Sequence, residues 1–281
     1  MSSKIKFLFV SILSLSFLST PLLLIPTYAD EKQELPANPV CEHLKATAVT
    51  VKAKGGTGSG IVIVRGDVTY VLTAGHVVDA NKTVIKEEGK PTKVEWEDVT
   101  VYQNDLDEGR IVGRVSYEAE VIRYSDAEHG EDLAILKLRK PKAFKTGITF
   151  YLGKQIPPVG TDLLHVGSLM GDFGANSVVP GFYSQHGRLV FGKIFDQLTC
   201  NAFPGSSGGA VTLKDGRYVG MVLRGASGGF ILIAPVRRIK AWTDRIGMDF
   251  ILDTTKKVPS EEDLKKHAIE ECCTPMKKVK E

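Results

Sequence analysis

From residue 46 onward, short runs in which Val, Ile and Tyr alternate with polar residues are separated by glycine or charged turns. That period of two is the pattern of half-buried strands. Residues 48–51, 60–64, 69–73, 99–102, 119–122 and 133–138 form one series. After Pro141 the style repeats at 162–166, 187–191, 209–213, 218–223 and 229–234. Many short strands at regular spacing predict an all-β barrel or sandwich architecture. Lys140-Pro141-Lys142 is the natural linker between two halves, 46–140 and 141–248. Helical spacing occurs only near the end. Val236, Ile239, Trp242 and Ile246 predict a helix over 235–246, and Ser260 with Asp263 offers a capped start to a second over 260–273. Residues 82–110 are densely charged and read as a solvated excursion, not as a site. Residues 30–45 read as a polar, proline-punctuated lead-in, and 249–281 as a polar tail with a short helix.

The start of the chain has a different character. Lys4 and Lys6 precede an apolar stretch from Phe7 to Ile25, and Thr27-Tyr28-Ala29 offers a small-residue cleavage site. Residues 1–29 therefore read as a secretory signal peptide, and the mature protein is expected to be secreted or periplasmic. An uncleaved anchor is the alternative, but Pro21 and Pro26 suit processing better than a continuous spanning helix. With 43% hydrophobic and 25% charged residues, the composition is that of a soluble globular protein. The formal charge is +3, and Lys4 and Lys6 contribute two of those charges. The remainder is too small to call for nucleic acid or an anionic membrane as a partner. Export permits disulfides among Cys41, Cys200, Cys272 and Cys273, whose three pairings the sequence does not rank. No C-x-x-C spacing or nearby histidine pair occurs, so no metal and no cofactor is expected.

Candidate chemistry concentrates at Gly205-Ser206-Ser207-Gly208-Gly209. Glycines around a serine let main-chain N–H groups converge beside an exposed hydroxyl. Alone, such a cluster is usually a turn. Two upstream segments change the picture. His76 follows the apolar run Val71–Ala74 and Gly75, and Asp132 precedes Leu133, Ala134, Ile135 and Leu136. A serine hydroxyl needs a base, histidine serves near neutrality, and a buried carboxylate fixes the tautomer of the ring. The serine stretch also fits Gly-x-Ser-x-Gly, the nucleophile elbow of α/β-hydrolases. There the acid and histidine follow the serine, whereas only His267 follows Ser207. The glycine run 55–60 lacks the Gly-Lys-Ser/Thr ending of a phosphate loop and leads into a strand, so it reads as a tight connection.

Gly58-Ser59-Gly60-Ile61, Thr73-Ala74-Gly75-His76, Asp132 to Leu136 and Gly205 to Gly209 together resemble chymotrypsin-fold, trypsin-like serine peptidases. The likeness is nearer to bacterial HtrA-like and glutamyl-endopeptidase-like members than to digestive enzymes, and covers about residues 45–248. It implies two six-stranded antiparallel β-barrels with a C-terminal helix and a cleft between them. His76 is then general base and acid, Asp132 its orienting partner and Ser207 the nucleophile. The N–H groups of Gly205 and Ser207 form the oxyanion hole. The implied activity is hydrolysis of peptide bonds in a protein or peptide substrate through an acyl-enzyme. A catalytically silent peptidase-fold binding module or chaperone is the competing reading, and the complete set of three groups weighs against it. Ser206 stands where digestive relatives carry an aspartate, so activation by insertion of a new N-terminus is not expected. Nor is a PDZ-like domain expected after residue 248. The resemblance places the primary pocket near Asn201, Leu223, Arg224 and Ile231. No carboxylate near Asn201 and no histidine on the later strand are present to select basic or glutamate side chains. Small or apolar side chains are expected there.

Overall fold

The computed structural model describes residues 37–270 apart from 87, 89–92, 108–109 and 227. The predicted signal segment lies outside the described residues, as do Cys272 and Cys273. The chain enters through helix α1 (Pro39–Thr47), not through an irregular lead-in. Asn38 caps it, its side-chain oxygen accepting from Val40 N at 3.0 Å and Cys41 N at 3.3 Å. Pro39 occupies the first turn, where its missing N–H costs nothing.

The first half holds β1 (Ala48–Ala53), β2 (Gly56–Arg65), β3 (Val68–Ala74), the single turn α2 (Gly75–Val78), β4 (Lys82–Ile85), β5 (Lys93–Trp96), β6 (Val99–Asp107), β7 (Arg110–Ser125) and β8 (Leu133–Leu138). Six of these strands close an antiparallel barrel in the order β1-β2-β3-β8-β7-β6, with β6 returning to pair with β1. The segment 82–110, read as a solvated excursion, instead holds a two-stranded ladder, β4 with β5, and the whole of β6. Lys93 and Glu95 are exposed on that ribbon, so charge hid β4 and β5, whereas Val99 and Val101, both buried, belong to the run 99–102 already read as a strand.

Residues 139–161 carry the chain across without a regular strand. Ile148 N–H donates to Val62 O of the first barrel at 2.9 Å, and Tyr218 N–H of the second donates to Thr149 O at 2.8 Å. The second barrel comprises β9 (Asp162–Leu169), β10 (Gly174–Val190), β11 (Lys193–Leu198), β12 (Ala210–Leu213), β13 (Tyr218–Ala226) and β14 (Phe230–Pro235), closed in the order β10-β11-β14-β13-β12-β9. The fold class is therefore all-β with two six-stranded barrels. Residues 187–191 prove to be the end of a much longer strand. Phe191 (φ 49°) and Gly192 (φ 73°) turn the chain there into β11, which the alternation did not reveal.

Strand β14 of the second barrel buries both faces. In β14, Ile231 and Ile233 pack with Leu163, Val211 and Val219 inside that barrel. Leu232 and Ala234 face a larger core shared with the first barrel and with helix α3 (Val236–Arg245) through Ile239 and Trp242. Two-sided burial explains why apolar residues there run continuously. Helix α4 (Glu261–Lys265) is shorter than predicted. Ser260 Oγ accepts Asp263 N–H at 3.1 Å and donates to Asp263 Oδ2 at 2.7 Å, so the reciprocal bond to the Ser260 backbone is replaced by a side-chain contact. Among the described residues Cys41 and Cys200 form no disulfide, and burial pushes the Cys200 thiol up to about 11.

One buried group makes stability depend on pH. His165 on β9 is fully buried, and its Nδ1–H donates to Ala210 O at 3.1 Å while Nε2 has no partner. Burial pushes its pKa down to about 4, against a smaller upward pull from that hydrogen bond. In the unfolded chain the ring takes up a proton near pH 6.5. Its contribution is thus complete above that pH and is lost as the pH falls towards 4. We expect urea-unfolding stability to drop by about 2 kcal/mol from this residue between pH 7 and pH 5. The drop should shrink in His165→Gln, and an unchanged pH slope would dismiss the assignment.

Candidate active site

Gly75, at the end of β3, is where the histidine is set. A Cβ there would lie 2.5 Å from Ser125 O and 3.1 Å from the Asp132 carbonyl carbon, so only glycine fits. His76 then opens α2 with its ring 38% exposed, against a carboxylate that is 2% exposed. Asp132 Oδ1 accepts His76 N–H at 2.9 Å, and the ring Nδ1 lies 3.0 Å from Oδ1 and 3.1 Å from Oδ2. With an ionised carboxylate as acceptor, Nδ1 carries the proton and Nε2 is left as the free base. Burial pulls the Asp132 carboxyl upward. Hydrogen bonds from the His76 ring and backbone, with the Arg224 charge, outweigh it and hold the carboxyl below the usual range.

Asp132 sits in the left-handed region (φ 58°), which aspartate tolerates better than most residues, at the end of a tightly held loop. Within that loop the Asp126 carboxylate accepts Glu128 N–H and His129 N–H at 2.9 and 2.7 Å. The carbonyl of Asp126 accepts Asp132 N–H at 3.1 Å. The second half of the molecule grips the same loop. Arg238 donates through Nε to Glu131 Oε2 and through Nη2 to Glu131 O, both at 2.6 Å. Lys193 Nζ donates to Ala127 O at 2.8 Å and Glu128 O at 3.0 Å.

Ser207 lies in the turn between β11 and β12. Gly205 (φ 95°) and Gly208 (φ 87°) adopt conformations that side chains rarely enter. A Cβ on Gly208 would stand 2.0 Å from Ser59 O, and one on Gly205 2.4 Å from Ser168 O. Ser59 fixes both ends of the turn, donating from N to Ser207 O and from Oγ to Gly205 O, each at 2.7 Å. Its Oγ also accepts Ser168 N–H at 2.7 Å. Ser206, in the position that raised the question of an N-terminal ion pair, is buried, and its Oγ accepts Phe203 N–H at 3.1 Å. The N–H groups of Gly205 and Ser207 donate to nothing among the described residues, and Ser207 Oγ likewise has no hydrogen-bond partner there.

A cavity of about 500 Å³ opens beside this turn, lined by Ala202, Phe203, Pro204, Ser206, Ser207, Val222, Leu223, Arg224 and Gly225. Leu223 and Arg224 are on its wall. Asn201 is exposed and Ile231 is buried in the core of the second barrel, and neither lines it. Ala202, Val222 and Gly225 stand in their place. Ile231 pairs with Gly225 and turns its side chain into the barrel core, away from the cavity. Sequence reasoning missed Ser59, Lys193 and Arg238. Only Ser59, inside the Gly58-Ser59-Gly60 motif, carried a signal.

A barrel pair with its serine turn pinned to a strand of the first barrel, and a histidine held by a buried carboxylate, defines a chymotrypsin-like serine hydrolase. The chain belongs to the trypsin-like peptidases: the family described as "Trypsin-like peptidase domain" matches residues 58–221. No curated protein matches in sequence. Among solved structures the chain is similar to the inactive form of Rv3671c from M. tuberculosis, crystallised as a serine-to-alanine mutant. That match has 20% identity and a TM-score of 0.53, covering 79% of this chain and 94% of that one. It is also similar to the serine endoprotease from Yersinia pestis, at 20% identity and a TM-score of 0.55, covering 79% of this chain and 69% of that one. At this identity the two likenesses speak for the fold.

Proposed function

We propose that the protein is an exported serine endopeptidase that hydrolyses peptide bonds through an acyl-enzyme, with His76, Asp132 and Ser207 as its triad. The observation that carries this reading is the double hold of Asp132 on His76, through ring Nδ1 and backbone N–H, which in the neutral ring favours the tautomer with Nε2 as acceptor. In the first step Nε2 takes the Ser207 proton as Oγ attacks the substrate carbonyl, and the N–H groups of Gly205 and Ser207 receive the oxyanion. The imidazolium then gives its proton to the leaving amine, and water repeats the sequence in reverse to free the acid. Ser207 Oγ is engaged by no other group among the described residues, so nothing holds it away from the ring. The bond between serine and histidine in such enzymes commonly tightens only with substrate present. Export rests on the signal-like residues 1–29.

An active-site fluorophosphonate tests the reading. Mature protein is expected to be labelled at Ser207, and His76→Ala to lose the label while remaining folded. A folded wild-type protein that takes no label would favour a non-catalytic binding role.

A further inference from the structure

Arg224 is the one large charged side chain on the cavity wall. The ladder of β13 with β12 ends at Met221, and beyond Val222 its residues pair only with β14. The edge from Leu223 to Gly225 therefore has no strand partner among the described residues, and an extended peptide can add to it. A register shift between Val222 and Arg224 marks a bulge, a feature that re-aims a side chain.

The guanidinium has donors to spare. Its side chain is 41% exposed, and its single hydrogen bond among the described residues is a long one, 3.4 Å from Nη2 to Ala127 O. Asp132 Oδ2 is 4.0 Å away, but that carboxylate already serves His76. The other acids of the neighbourhood are also engaged. Glu131 pairs with Arg238 and Arg245, and Asp126 and Glu128 face His129. Lys193 beside it bonds only backbone carbonyls. Burial above all lowers the pKa of Lys193, and the charges of Arg238 and Arg224 add to that against the opposing pull of Asp132 and Glu131. Phe191, 76% exposed, lies under the guanidinium at 6.0 Å and supports its outward pose.

We propose that Arg224 is a specificity-determining residue that selects substrates carrying an Asp or Glu side chain immediately before the residue whose carbonyl Ser207 attacks. The inference rests on the peptidase reading above. In an extended chain successive side chains point to opposite sides. The cleaved residue thus places its side chain against Ala202, Val222 and Gly225, which offer no charge. The residue before it faces the His76–Asp132 side, where Arg224 presents a fork suited to a carboxylate.

Pairs of peptides differing only as Glu against Gln, or Asp against Asn, at single positions around the scissile bond test this with the mature protein. The expected result is a kcat/KM ratio of roughly tenfold in favour of the acid at the position before the cleaved residue, shrinking with added salt. The ratio should approach one in Arg224→Gln and invert in Arg224→Glu, with Arg224→Lys intermediate. A general weakening of catalysis through Asp132 would lower both members of a pair and leave their ratio unmoved. A wild-type ratio near one, the same ratio in Arg224→Gln, or a preference confined to the cleaved residue itself would overturn the proposal. Cleavage of the amide peptides together with labelling of Ser207 would then leave the peptidase reading standing. Absence of both cleavage and label would remove that reading and this inference with it.

Discussion

Ser207→Ala should abolish turnover, by about 10⁶-fold for a nucleophile acting as part of a concerted unit. The substitution removes one oxygen that bonds nothing else among the described residues. The backbone bonds that shape the turn run through Ser207 O and Gly209 N, and neither depends on the side chain. Folding, urea stability and binding of an uncleaved peptide should therefore match the wild type. What remains is catalysis by oriented N–H groups and binding alone, roughly 10³–10⁴ over water. The measurement is kcat on a peptide or ester substrate, with the fluorophosphonate as a count of active sites. Undiminished hydrolysis by this variant would show that another group attacks. A loss accompanied by lower unfolding stability would show that the turn, not the nucleophile, had been damaged.

The side chains of the proposed triad stood out in the sequence because each is announced by its backbone. Gly75 has to be glycine beneath Ser125 O, and Gly205 and Gly208 have to be glycine against Ser168 and Ser59. Those constraints fix local residue types, so short motifs record them. The parts that stayed hidden are of another kind. Lys193 and Arg238 reach the loop of residues 126–131 from more than sixty positions away, and a solitary Lys or Arg in a strand or helix has no local reason to be there. Asn201 and Ile231 were placed at the cavity by their neighbourhood in the chain, but Asn201 is exposed in the connection after β11 and Ile231 turns into the barrel core. At 82–110 the ribbon carried so much charge that β4 and β5 were overlooked, and β6 runs on past the predicted 99–102 to Asp107. Helix α1 was legible after all, in Asn38-Pro39 as cap and first turn.

Asp132→Asn should cost about 10⁴-fold in kcat while leaving the fold intact. Asparagine tolerates the left-handed backbone that Asp132 adopts, so the loop needs no rebuilding. The damage comes from the proton pattern. Oδ1 accepts the His76 backbone N–H at 2.9 Å, and that donor dictates which end of an amide occupies the site. The amide NH2 is then directed to the place of Oδ2, 3.1 Å from the ring Nδ1. An NH2 can only donate, so Nδ1 becomes an acceptor and the ring proton moves to Nε2. The nitrogen meant to receive the serine proton is thereby occupied. The imidazolium that forms in the transition state also loses its carboxylate, whose own pKa those His76 hydrogen bonds and the Arg224 charge depress despite burial. Because that carboxyl is held below the usual range, wild-type activity should not fall through its protonation until the pH is lower than an ordinary aspartate would require. Comparison with Asp132→Ala separates the two effects. Alanine removes the charge without imposing a tautomer, so it should be the more active variant whenever it folds as well. An Asn variant within tenfold of wild type, measured at saturating substrate, would mean that Asp132 does not set the proton on His76.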